Sequence, residues 1–208
     1  MVVRALHRQP FLRETSGLAM TEALIVVPVL MLVCGAMVEF GLMVYEWNQT
    51  VKAMQVGARR AAVSTPLTDI SALSDYGASL SQGDPVPMPP PDPPEPGNSY
   101  AVSCGAGASP CDEAALTRLM NGRDDDGSGI TGIRDIAPFI APENIRITYQ
   151  HSGLGYVGRP FGPVLTVTLE VRDLAFDLLL LDMLVPITIP AHPVAITSED
   201  LSDCEEPC

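Results

Sequence analysis

Sixteen consecutive residues, Ala23 to Val38, carry no charge, and a carboxylate, Glu22, stands at their mouth. The apolar pattern runs on to Tyr45 with only Glu39 interrupting it. As a helix, Leu18 to Tyr45 would be about 42 Å long, enough to cross a hydrocarbon layer of about 30 Å. Pro28 and Gly35 are tolerated in such spans because neighbouring groups re-satisfy the freed backbone. An acid at mid-bilayer costs about 2.5–3.5 kcal/mol on an insertion scale, so Glu22 needs a partner or a task. Ahead of it lie Gly17 and a short basic leader with Arg4, Arg8 and Arg13.

Two other fates of such a segment compete. A lipoprotein signal needs small residues before its cysteine, and Met31-Leu32-Val33-Cys34 has none. A secretory signal fits better, with small residues in Cys34-Gly35-Ala36, and would release a chain starting at Met37. That reading leaves Glu22 inside the apolar core without a purpose. It also ignores the pattern that follows. Val44, Trp47, Val51, Met54, Ala58 and Ala61 step by three and four, which predicts one apolar stripe on a continuing helix. That stripe suits docking onto the chain's own domain, bundling with other helices, or both. Pro66 ends the helix or falls just past its end.

The opening segment resembles the TadE-like family of the tight-adherence pilus system, itself similar to type IV pilins and pseudopilins. The carrying residues are Gly17, Glu22, Pro28, Glu39-Phe40-Gly41 and Ala58-Arg59-Arg60-Ala61-Ala62. The resemblance covers roughly the first 65 residues. It implies a prepilin peptidase that cuts between Gly17 and Leu18. It also implies that Glu22 neutralises the new amine of a neighbouring pilin-like subunit. Ala23 stands where an aromatic residue commonly follows the glutamate, which points towards a minor subunit. The expected product is a single-pass inner-membrane protein with its C-terminal domain outside the cytoplasm. Flanking charge alone leaves the orientation tied, because Lys52, Arg59 and Arg60 balance the leader's arginines.

The five cysteines sort by place. Cys34 lies in the apolar span, and Cys104, Cys111, Cys204 and Cys208 lie beyond it. Four cysteines in a small extracytoplasmic domain read as two disulfides with three connectivities. Pairing Cys104 with Cys111 and Cys204 with Cys208 is preferred because each pair is close in sequence. Zinc favours tighter spacings than Cys-x6-Cys and Cys-x3-Cys. The net charge of −13 argues against nucleic-acid binding, which needs a basic face.

The expected organisation is a leader (1–17), a membrane and spine helix (18–65), an amphipathic segment with a proline-rich linker (66–97) and an α+β domain (98–208). Residues 67–83 are weakly amphipathic. Pro85 to Gly97 holds eight prolines in thirteen residues and reads as a stiff extended spacer. Asp112 is placed to cap a helix running to about Met120. Ile145 to Tyr149 and Val164 to Val171 alternate as strands. Leu174 to Leu184 reads as a buried or membrane-hugging helix, too short for a second span. Ile187 to Ile196 reads as a last strand, kept to an edge by Pro190 and Pro193. These elements predict an antiparallel sheet with short helices.

One loop has ligand-like spacing. Asp124, Asp126 and Ser128 occupy positions 1, 3 and 5 of a calcium loop, Gly129 position 6 and Asp135 position 12. Thr131 at position 8, the short final acid, and Pro138 and Pro142 depart from a full EF-hand. A calcium ion and a solvated acidic turn both fit. His7, His151 and His192 are scattered, and no local pattern suggests a catalytic pairing. The leading reading is therefore a non-enzymatic pilus assembly protein. The alternative is a secreted or membrane-anchored calcium-binding module.

Overall fold

The computed structural model describes residues 16–73, 80–87, 100–122, 129–159, 163–176, 178, 188–189, 193–198 and 201. One helix, α1 (Ser16–Ala61), runs without a break through Pro28. Its last turn carries Arg59 and Arg60, whose charge suits the negative end of the helix dipole. It closes five residues before Pro66.

Beyond α1 lies a four-stranded antiparallel sheet in sequence order: β1 (Ala101–Gly105), β2 (Ile145–Leu154), β3 (Val164–Val171) and β4 (Val194–Thr197). The fold is α+β. Two short helices, α2 (Glu113–Asn121) and α3 (Ile133–Ile136), lie between β1 and β2. Alternation decides the faces. Ile145, Ile147 and Tyr149 of β2 and Leu165, Val167, Leu169 and Val171 of β3 point into the core. The opposite face carries Ser103, Thr148 and Thr168 in one cross-strand row. Ser103 and Thr148 share a 2.8 Å hydrogen bond there.

The distal half of α1 closes this core. It packs on α3, β3, β4 and α2. Thr50, Ala53, Met54, Gly57, Ala58, Ala61 and Ala62 are buried, while Val44 is exposed and Val51 half-buried. The buried stripe is thus turned by about one position from the one the large residues predict. Gly57 supplies the reason. A Cβ there would stand 2.8 Å from Leu169 Cδ2 and 2.9 Å from Ile133 Cδ1. The helix backbone lies close against the Leu169 and Ile133 side chains, so the small residues face inward.

Several expectations need correcting. β1 has no sequence signal of its own and forms by pairing with β2, Cys104 opposite Ile147. β2 runs five residues past Tyr149, with an irregularity between His151 and Leu154. Residues 67–73 form only a 3-10 turn, Ser71–Leu73. The helix expected from Leu174 does not begin there. Ala175 makes an antiparallel bridge to Thr188 and Ile189 donates to the Leu174 carbonyl, while Leu174, Phe176, Leu178 and Ile189 sit in the core. Residues 179–187 lie outside the described residues. The last strand is shorter, Val194–Thr197, and among the described residues it pairs with β3 at the sheet edge. Most of the proline-rich linker, 88–97, and the leader to residue 15 also lie outside the described residues.

Candidate functional site

Gly17, Leu18 and Glu22, the residues expected to serve processing and assembly, fall in the first turns of α1. The Gly17 backbone is helical, and its carbonyl accepts from Thr21 Oγ1 at 3.4 Å. Leu18 follows in the same helix; its side chain lies outside the described residues. Glu22 is exposed. Nothing lies within 4 Å of a Cβ built on Gly17, and its φ is not positive, so the fold does not require glycine there. Every described side chain from Gly17 to Cys34 is exposed, and Cys34 is a free thiol. The Met20–Ala61 part of α1 is long and apolar enough to cross a membrane.

Glu39 behaves differently. It is only 6% exposed and makes a polar or electrostatic contact within the chain. Gly35, Ala36, Met43, Glu46 and Trp47 on the same side are half-buried. The protein's own chain therefore covers one face of α1 from about Gly35 onward.

The expected bridge between Cys104 and Cys111 is present, with Cα atoms 5.0 Å apart. It ties β1 to the start of α2. There Asp112 caps the helix, its Oδ1 accepting from the Ala115 amide at 2.8 Å. Cys204 and Cys208 lie outside the described residues.

The connection leaving α1 is held by a residue that sequence reasoning missed. The buried Tyr149 hydroxyl accepts from the Leu67 amide at 3.1 Å, and the Leu67 carbonyl accepts from the Asp112 amide at 2.7 Å. Burial pushes the Tyr149 phenol up to about 12, against a smaller lowering by the Leu67 amide. The only sequence hint was a tyrosine at an inward strand position, where a buried hydroxyl needs a partner. His151 lies edge-on to Tyr100, ring centres 6.0 Å apart, and burial lowers its pKa.

Of the calcium-loop residues, Asp124, Asp126 and Ser128 lie outside the described residues. Asp135 caps α3, its Oδ2 accepting from the Gly132 amide at 2.7 Å. The loop's neck is tight. Gly122, at φ 77°, faces the Ile130 carbonyl, and a Cβ on Gly132 would collide with the Met120 carbonyl and the Gly122 amide. Among the described residues no three acids, histidines or cysteines cluster as a metal site.

Residues 17–59 match the family model of TadE-like proteins. No curated protein and no solved structure matches the chain. The TadE-like segment begins at Gly17 and ends at Arg59, an exposed residue in the docked turns of α1. It thus spans the exposed half of α1 and nearly all of the docked half. The sheet and its disulfide lie outside the match.

Proposed function

We propose that this chain is a minor, pseudopilin-like subunit of a tight-adherence pilus apparatus, anchored in the inner membrane by α1 with its disulfide-bearing domain outside. The observation that carries the reading is the TadE-like match over residues 17–59, which falls on a helix long and apolar enough to cross a membrane, with Gly17 at the head of the match and Glu22 five residues on. In this reading a prepilin peptidase cuts after Gly17. The Glu22 carboxylate then meets the new Leu18 amine of a neighbouring pilin-like helix. At 4 Å and an effective dielectric near 20, such a pair attracts by about 4 kcal/mol. That is enough to select register between helices that lipid alone does not discriminate. The protein's work is assembly through helix packing, with no chemical step and no nucleic acid.

N-terminal sequencing of the protein from cells with an active prepilin peptidase should begin at Leu18. An intact Met1 or a mature start at Met37 would overturn the reading. Glu22→Gln should still insert in the membrane and should fail to assemble, as read by co-purification with partner subunits and by piliation.

A further inference from the structure

The extent of α1 that is exposed on all sides is short for a bilayer. Gly17 to Cys34 spans about 27 Å as a helix, less than the hydrocarbon thickness of about 30 Å. Tilt shortens the projection further. From Gly35 onward the chain covers one face of the helix, culminating in buried Glu39. In the same turns the other face stays apolar and open. Met37 is 70%, Val38 65% and Phe40 61% exposed, with Leu42 and Val44 following. Such a surface belongs in lipid or against protein. With Glu22 at the inner edge of the hydrocarbon, Glu39 lies about 25 Å further along, still inside the layer. A carboxylate at that depth must be screened from acyl chains. Here the screening comes from the protein's own chain, which covers Glu39 and engages it. Just above, Met43 and Trp47 pack against the hydrophobic core of the domain.

We propose that the covered stretch of α1, Gly35 to Met43, lies within the outer leaflet, so that the part of the chain seated on its Glu39 face is immersed there. The lipid-facing surface then consists of the open apolar face of the helix on one side and that covering chain on the other. The domain rides in the bilayer surface and is not held above it on a stalk. This rests on the membrane-spanning reading of α1.

The test is the depth of α1 in the full chain, reconstituted in phosphatidylcholine–phosphatidylglycerol vesicles. Nitroxides are attached singly at Val29→Cys, Phe40→Cys and Asn48→Cys, in a background of Cys34→Ala, Cys204→Ser and Cys208→Ser. Oxygen, which partitions into lipid, and a water-soluble nickel chelate report accessibility. We expect the nickel signal to be lost at both Val29 and Phe40, with oxygen accessibility retained, and to return at Asn48. Nickel access at Phe40 with none at Val29 would overturn the immersion while leaving the span intact. Access at both would overturn the span and the immersion together. A Phe40 site closed to both reagents would assign that level to a neighbouring helix, and the immersion would again be rejected.

Discussion

The two halves of α1 share one backbone and opposite surroundings. The first half, to Cys34, is built from Leu, Ile, Val and Met with every described side chain exposed. The second is built around Ala53, Gly57, Ala58, Ala61 and Ala62, all buried. Both are apolar, so hydrophobicity alone does not tell them apart. Size does. Large side chains offer area to a fluid solvent that fits any shape. Small ones let a helix backbone approach a sheet whose side chains, Leu169 and Ile133, reach across to fill the contact. Glycine shows the contrast most clearly: Gly17 and Gly41 touch nothing, whereas Gly57 is pressed from two sides.

The largest expected effects pit the halves against each other. Leu169→Ala, at a fully buried site beneath Gly57, should cost the domain about 2–5 kcal/mol. Leu30→Ala, in the exposed half, should leave the domain's denaturation curve in detergent unmoved. Equal losses would erase the distinction. Next, removing the Cys104–Cys111 bridge as a double alanine variant should cost roughly 2–3 kcal/mol by the chain-entropy model. Far-ultraviolet dichroism should show α1 still helical. Third, Gly57→Leu should destabilise by about 1–3 kcal/mol through overpacking, while Gly41→Leu should be silent in the same unfolding assay.

How far the sequence discloses this molecule follows the range of the forces involved. The reading of β2 and β3 from alternation holds, and so do the Asp112 cap and the Cys104–Cys111 pairing, because each depends on residues near in sequence. β1 is invisible because Ala101-Val102-Ser103-Cys104-Gly105 becomes a strand only through its partner. The apolar run from Leu174 has a helical composition, yet tertiary contact puts Ala175 in a bridge with Thr188. At the candidate site, the exposed apolar helix is legible. The covering of Glu39 and the Tyr149–Leu67 bond are not, since both join parts of the chain far apart in sequence.

The smaller predictions sharpen the docked half. Tyr149→Phe leaves the buried Leu67 amide without its acceptor and should cost about 1–3 kcal/mol. It also carries a pH signature. The folded-state pKa lies above the ordinary value of 10, so the stabilisation of the neutral phenol is complete below pH 10 and is lost as pH rises towards 12. The variant's stability should decline less across that window than the wild type's. A parallel decline in both would reject Tyr149 as the source. Smallest, Asp112→Ala should cost about 1 kcal/mol by freeing the first turn of α2, read as a lower melting temperature of the full chain in detergent.

That α1 passes from open surroundings into the core without a break makes the chain a lever with no joint. From Ser16 to Ala61 it is a rod of about 70 Å, whose upper turns are wedged between Leu169 and Ile133 by a residue that has no side chain to yield. Twist applied near Glu22 therefore reaches the sheet as rotation of the whole domain. Because Leu169 and Ile133 occupy the space a side chain at Gly57 would need, axial slip would drive a neighbouring side chain into them, and pulling at the helix pulls on the sheet. Wherever the lower end is gripped, the azimuth of the Ser103–Thr148–Thr168 face is fixed with it.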